Sequence, residues 1–299
     1  MTKPYAEVIG DPIAHSKSPL IHNFWLGKLG IDAEYRACHV RPEELADYFA
    51  VRRKDPDWRG CNVTIPHKES VLEFADEQDS SVEEVGAANC ITPRDGKLLA
   101  FNTDVDGIRE ALFSVPAVPL PENYVATEVE IIGSGGAARA AGAACRIFGD
   151  MTFYNRTIEK ARKLADEFMF PGAADGFAGI LNDLPKKRFE YDPHFPAMKE
   201  NRGNDQHYCY ILINSSSMGM KGLPDVPVNL DWYPEDTIVF DMVYAPLETR
   251  LLKEARDRGM RTIDGLVMLI GQAAAAFERF FAQPAPRECD AELRELLTR

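Results

Sequence analysis

Three things are scarce in this chain of 299 residues, and each scarcity excludes a class of protein. No apolar run approaches the roughly 20 residues that a membrane-spanning helix needs. Met1-Thr2-Lys3-Pro4-Tyr5 carries no apolar leader core, so a cytoplasmic location is expected. The six cysteines (Cys38, Cys61, Cys90, Cys145, Cys209, Cys289) form no Cys-x-x-Cys pair and no cluster with histidine, which argues against a zinc site or a disulfide framework; no metal is expected. Positive charge is also short: 34 basic residues against 47 acidic give net −13, which speaks against nucleic acid or an anionic membrane as partner. A small molecule is the expected partner, and if it is anionic, local features must hold it. The length allows one large or two medium domains.

The strongest local feature is Val129-Glu130-Ile131-Ile132-Gly133-Ser134-Gly135-Gly136-Ala137-Ala138-Arg139. An apolar run that breaks into close glycines and then into an alanine-rich pattern reads as strand, tight turn and helix. Gly133 permits the turn, Gly135 lets backbone approach a pyrophosphate, and Ala138 lets helix pack on strand, with the helix N–H groups facing the anion. The cofactor site is therefore expected at Gly133, Ser134, Gly135, Gly136 and Ala137. About 20 residues on, where an acid binds the ribose of NAD, stand Asn155, Arg156 and Thr157. Hydrogen-bonding side chains and a planar cation suit a 2′-phosphate, so NADP is the expected cofactor. Thr157 also suits capping of a helix over 158–168.

The N-terminal part reads as strand 5–10, a loop from Asp11, and a helix 20–29 with Ser18 as its cap and Pro19 in its first turn. Ser16 and Ser18 also place two hydroxyls beyond a strand end, in reach of a small carboxylate. His15 and His22 read as local packing residues. Arg52–Arg59 reads as a charged, solvated connection. Asn62-Val63-Thr64-Ile65-Pro66-His67-Lys68 reads as strand, turn and the start of a helix 68–76, which puts Lys68 in a first turn where the dipole disfavours a cation: it is either solvated or held for a purpose. Asn89 enters a strand, Asp95-Gly96 is a hairpin turn, and Asp104 opens or caps a helix 105–112. Pro116, Pro119 and Pro121 form a stiff linker. Further on, strands are expected at 208–214, 237–241 and 260–264, and helices at 247–258 and 265–281. The segment 171–207 is long and polar and reads as an enlarged surface loop with a partial strand of undetermined position.

Several blocks taken together resemble, in order, the successive signatures of shikimate dehydrogenases. They are Gly10-Asp11-Pro12-Ile13-x-His15-Ser16-x-Ser18-Pro19-x-x-His22-Asn23, Asn62-Val63-Thr64-Ile65-Pro66-x-Lys68, Gly86-Ala87-x-Asn89 and Asn102-Thr103-Asp104. Gly133–Ala138, Asn155-Arg156-Thr157, Met218-Gly219-Met220, Asp241-Met242-Val243-Tyr244 and Asp264-Gly265-Leu266-x-Met268-Leu269-x-x-Gln272 continue the series, while Ser215-Ser216-Ser217 departs from the version common in the family.

The resemblance implies an α/β fold of two domains: an N-terminal substrate-binding domain of residues 1–106, completed by 265–299, and a Rossmann-type doubly wound NADP-binding domain of 107–264. It implies reversible, NADP-dependent reduction of 3-dehydroshikimate to shikimate. Lys68 would bind and protonate the oxygen at which charge develops, with Asp104 as its partner. Ser16, Ser18, Thr64, Asn89, Tyr244 and Gln272 would hold the carboxylate and ring hydroxyls, and Met242 and Gly265 would lie beside the cofactor. The chain is expected to be a monomer or homodimer. Two other readings stay open: a relative acting on quinate or an amino analogue, with either NADP or NAD, and a non-catalytic ligand-sensing module on the same fold.

Overall fold

The computed structural model describes residues 3–115, 126–168, 177–181 and 208–299. By contact the chain divides into two compact units, Met1–Ile108 with Met268–Arg299, and Arg109–Val267. In chain order the first holds β1 (Tyr5–Gly10), α1 (Ser18–Leu29), β2 (Glu34–His39), α2 (Leu45–Arg52), β3 (Trp58–Val63), β4 (Glu77–Gln78), α3 (Ser80–Val85), β5 (Cys90–Arg94), β6 (Lys97–Phe101) and most of α4 (Thr103–Phe113). The second holds β7 (Ala126–Ile132), α5 (Gly136–Cys145), β8 (Gly149–Asn155), α6 (Ile158–Phe168), β9 (Phe177–Ile180), β10 (Tyr208–Asn214), β11 (Ile238–Asp241), α7 (Arg250–Asp257) and β12 (Arg261–Asp264). The chain ends with α8 (Gly265–Phe281) and α9 (Asp290–Thr298). Among the described residues no helix is long and apolar enough to cross a membrane.

The first sheet runs β2-β1-β3-β5-β6-β4. β1 is parallel to β2 and β3, whereas β5 is antiparallel to both β3 and β6. The carboxyl ends of β1, β3 and β6 and the amino end of β5 therefore meet at one edge of the sheet. The turn between β5 and β6 has Asp95 and Gly96 both at positive φ, 52° and 78°, which is the hairpin turn that an Asp-Gly pair favours. On one face Tyr5, Ile9, Leu45, Phe49, Trp58, Val63 and Leu98 form a core. On α1, Trp25 meets Phe277 of α8 edge-on, and the His22 ring lies flat on Tyr35, with centroids 4.0 Å apart and 5° between planes. Full burial holds the His22 pKa down to about 3, so this histidine is a neutral packing group.

The second sheet runs β12-β11-β10-β7-β8-β9 with every pairing parallel. Read from β9, the chain order of its strands is 3-2-1-4-5-6, the doubly wound arrangement whose direction reverses between β7 and β10. α6 buries Ala161, Leu164, Ala165 and Phe168, the i, i+3, i+4, i+7 stripe of a helix lying on a sheet. The partial strand expected within 171–207 is β9, paired to β8 at the sheet edge. Residues 171–176 and 182–207 of that segment and the three linker prolines lie outside the described residues.

Five local expectations are corrected. Ser18 is not the cap of α1: Lys17 already has helical angles, so Ser18 is the first helical residue, and its N–H donates to Ser16 Oγ at 3.3 Å. Lys68 does not open an α-helix. It lies in a turn that precedes a short 3₁₀ segment, Ser70–Phe74, and its carbonyl accepts from Ala88 N at 2.8 Å in place of a helical bond. Asp104 does not cap α4 but is its second residue, its N–H bonded to Asn102 Oδ1 at 3.2 Å. The helix expected from residue 247 starts at Arg250, where the Thr249 hydroxyl accepts from Leu252 N.

The fifth correction concerns Arg52. It is no solvated charge: its Nε meets Glu7 Oε1 at 2.5 Å, and Glu7 is fully buried on β1. Tyr48 Oη donates to the same carboxylate at 2.9 Å, while Arg36 stands 3.4 Å from its other oxygen. A buried carboxylate needs such donors, and removing one leaves its charge uncompensated. Arg52→Ala should therefore lower stability by about 3 kcal/mol, read as a lower urea midpoint at unchanged slope.

Candidate active site

The edge where β1, β3, β5 and β6 meet collects the polar residues singled out by the sequence. β1 leads into the loop carrying Ser16 and into Ser18 on α1; β3 leads into Thr64 and Lys68; Asn89 stands just before β5; Asn102, Thr103 and Asp104 follow β6. The order of strands brings these positions together from separate parts of the chain. Thr64 is tied to β1 by its N–H, which donates to Ile9 O at 3.0 Å.

Lys68 Nζ donates to Asp104 Oδ2 at 2.6 Å, with the two side chains 21% and 7% exposed. Asp104 Oδ1 accepts from Asn89 Nδ2 at 2.8 Å. Asn89 is oriented in turn by Thr103, whose backbone N–H and hydroxyl donate to Asn89 Oδ1 at 2.7 and 3.2 Å. Asn89 Nδ2 also approaches Gln272 Oε1 at 3.4 Å, and Gln272 Nε2 bonds Leu269 O on α8 at 2.9 Å. Gln272 reaches this cluster because α4 and α8 touch at Gly107, where a Cβ would stand 2.6 Å from Met268 O and 2.8 Å from Gln272 N. The result is an ammonium held against a carboxylate whose other oxygen is fixed, beside neutral hydroxyl and amide groups. Such a cluster can stabilise and protonate a nearby oxygen that gains negative charge.

Sequence reasoning assigns no role to Asn62, Asn102 or Thr103. Asn102 Nδ2 bonds Ala87 O at 2.7 Å, and Asn62 Nδ2 bonds Asn89 O at 3.1 Å, so both pin the backbone that leads into Asn89. The available signal is their type: buried asparagine at a strand end is held for its fixed donor and acceptor.

The second unit places the expected cofactor residues on the loops after β7, β8, β11 and β12, at the carboxyl ends of its strands. Gly133 has φ 130°, and a Cβ there would meet Ser215 Oγ at 2.6 Å. Gly135 is different. Its φ of −89° suits any residue, and a Cβ there meets no protein atom within 4 Å. Among the described residues nothing explains that glycine, but a pyrophosphate seated on the N-terminus of α5 would. Gly136 and Ala137 begin that helix, and the Asn155 amide bonds Ser134 Oγ. Arg156 and Thr157 are exposed just past β8, and among the described residues Arg156 makes no ion pair. These residues fit a dinucleotide with a 2′-phosphate.

Asp241, fully buried at the end of β11, organises the neighbouring loops. It accepts from Asn214 Nδ2 at 2.9 Å, Val243 N at 3.0 Å and Thr249 Oγ1 at 2.6 Å, and burial pushes its pKa up. Met242 and Tyr244 follow it; Met242 N bonds Asn214 O at 2.9 Å, and burial raises the Tyr244 phenol. Gly265 packs on Met242, whose carbonyl oxygen would lie 2.4 Å from a Cβ at that position. Tyr244 groups with this second unit, whereas the other expected substrate residues group with the first. Among the described residues no set of three or more His, Cys, Asp or Glu is placed to hold a metal ion.

Residues 8–91 match the family model of the shikimate dehydrogenase substrate binding domain, and residues 265–292 match that of the shikimate 5′-dehydrogenase C-terminal domain. A shikimate dehydrogenase (NADP(+)) of Sphingopyxis alaskensis is 43% identical over 298 residues, covering 98% of this chain and 97% of its own length. The crystal structure of a shikimate dehydrogenase in complex with NADP+ superposes with a TM-score of 0.82 at 32% identity, covering 99% of this chain and 96% of that one. A shikimate 5-dehydrogenase of Thermus thermophilus in complex with NADP(H) and shikimate gives 0.78 at 29% identity, over 98% and 99% of the chains.

The two glycines separate packing from ligand binding. Gly133→Ala should cost about 1–3 kcal/mol through its positive φ and the Ser215 contact. Gly135→Ala should leave stability within about 0.5 kcal/mol yet weaken NADP binding about tenfold or more, measured by calorimetric titration of the same sample.

Proposed function

The chain belongs to the shikimate dehydrogenase (NADP(+)) family, and we propose that it reversibly reduces 3-dehydroshikimate to shikimate with Lys68 and Asp104 as the catalytic pair. The observation that carries the assignment of residues is the 2.6 Å contact between Lys68 Nζ and Asp104 Oδ2, with the second carboxylate oxygen fixed by Asn89. Bound at the glycine loop, NADP(H) supplies or takes up the hydride. During reduction the substrate carbonyl oxygen gains negative charge, and the Lys68 ammonium both stabilises that charge and donates its proton; the neutral amine is then reprotonated from solvent. Asp104 holds the ammonium in place through its short contact. In the oxidative direction the same amine accepts the hydroxyl proton.

Ser16 and Ser18 take the substrate carboxylate, since Ser18 is buried in the first turn of α1 without capping it. Thr64, Asn89, Gln272 and Tyr244 bind ring hydroxyls or the carboxylate. Gly133, Ser134, Gly135, Gly136 and Ala137 cradle the pyrophosphate, Asn155, Arg156 and Thr157 take the 2′-phosphate end, and Met242 and Gly265 flank the nicotinamide. Residues 1–106 with 265–299 form the substrate domain and 107–264 the NADP domain, a division supported by the contact boundaries after Ile108 and Val267. Free thiols at all six cysteines support a cytosolic enzyme.

A steady-state assay of nicotinamide absorbance with shikimate and quinate, each paired with NADP and NAD, tests the assignment: shikimate with NADP should give the highest kcat/KM. Lys68→Ala should lower kcat on the order of 10² or more, because proton transfer and oxyanion stabilisation are lost together; near-normal turnover would reject its role. Arg156→Ala should raise KM for NADP about tenfold while KM for NAD stays near that of the wild type, and an equal effect on both would remove the 2′-phosphate contact.

A further inference from the structure

We propose that Tyr35, a residue with no place among the ligand-binding groups, positions the catalytic machinery by fixing the amide of Asn62 and, through it, the segment that carries Asn89. The proposal rests on the Lys68–Asp104 assignment above. In β2 only Tyr35 is buried; its neighbours are exposed or half-buried. Its register partner on β1 is Ala6, and that of Asn62 is Val8, so the Tyr35 hydroxyl crosses β1 to reach β3. There it donates to Asn62 Oδ1 at 2.7 Å.

The direction of every bond in this chain is forced. Asn62 faces the main-chain carbonyl of Asn89 at 3.1 Å, and a carbonyl can only accept, so the amide nitrogen must point there. Asn62 Oδ1 then faces Tyr35, which must be the donor. Burial raises the Tyr35 phenol well above its usual range, so the donating proton stays in place. Asn89 O receives a second bond, from Val63 N at 2.8 Å, and the Asn89 side chain holds Asp104. Loss of the hydroxyl frees Asn62 to turn, and the anchor of Asn89 loosens with it.

Tyr35 is itself clamped from α1. Asn23 Oδ1 accepts from Tyr35 N at 2.9 Å and Asn23 Nδ2 donates to Tyr35 O at 2.6 Å, while the His22 ring stacks on the phenol ring. His22 lies one helical turn beyond Ser18, so one buried aromatic contact ties the carboxylate end of the site to its proton-transfer end. This gives the pair His22-Asn23 a physical function as the clamp on Tyr35.

The test uses the full chain and Tyr35→Phe, which removes one oxygen and keeps the stacked ring. At 15 °C, with folding verified by near-ultraviolet circular dichroism, kcat for shikimate oxidation should fall about tenfold, with little change in KM for shikimate and none for NADP. Asn62→Ala should produce a similar loss, and the double variant should be no worse than Asn62→Ala alone, because both act through one bond. A merely structural Tyr35 would lower the melting temperature and leave kcat per folded molecule unchanged. Turnover within twofold of wild type in Tyr35→Phe, or losses that multiply in the double variant, would overturn the proposal. Lys68→Ala assayed alongside separates the two levels: if it is nearly inactive while Tyr35→Phe is normal, the Tyr35 role alone fails; if Lys68→Ala itself turns over normally, the assignment beneath it fails too.

Discussion

The substrate side of this protein depends on the orientation of one amide. Asn89 has an oxygen that receives two donors from Thr103 and a nitrogen that serves Asp104, and the two ends cannot be exchanged without setting an oxygen against a carboxylate. With the amide fixed, Asp104 Oδ1 is engaged and Oδ2 is left to face Lys68. The arrangement draws on elements far apart in sequence: the turn after β3, the start of β5, the start of α4, and α8 brought close at Gly107. In the proposed role, preorganisation of this kind would let the lysine act without rearranging its surroundings as charge develops on the substrate.

Three other buried carboxylates show how the same group is used differently. Glu7 lies against Arg52 and Tyr48 on the opposite face of the first sheet from the His22–Tyr35 stack, where it joins α2 to β1. In the second unit, Glu130 accepts from the hydroxyls of Tyr154 and Tyr233, and Asp241 from an amide, a hydroxyl and a backbone N–H. Burial pushes the pKa of both upward. Glu130 and Asp241 are thus satisfied by neutral donors, whereas Asp104 holds the Lys68 ammonium. The distinction lies in the partner, because a neutral donor satisfies a buried oxygen without fixing a countercharge.

Much of this was legible in the sequence. The limits of β1, α6, β10 and α8 agree with what apolar periodicity and the glycine turn indicate, because each is a long, uninterrupted pattern whose burial requires it. The nucleotide-binding turn followed from a strand, a glycine-rich turn and a helix in succession, and the doubly wound unit around it from the family resemblance. Readings based on position within a helix fared worse. Ser18, Lys68 and Asp104 were each judged by rules of capping and dipole, and in each case another bond decides: local ones from Ser18 N to Ser16 Oγ and from Asp104 N to Asn102 Oδ1, and a long-range one from Ala88 N to Lys68 O. Arg52 shows the same limit, since a charged stretch gives no sign that Glu7, 45 residues earlier, lies buried within reach.

The sequence by itself determined where most of the elements lie, that the chain carries a nucleotide-binding turn suited to NADP, and to which family it belongs, because periodicity and closely spaced motifs are local properties. The tertiary structure alone decided which groups meet. It set the polarity of Asn89, brought Gln272 beside it across 183 residues, and linked Tyr35 to Asn62 over β1. The physical reason is that a hydrogen bond depends on distance and direction in space, and strand order fixes both in a way that residue spacing along the chain does not encode.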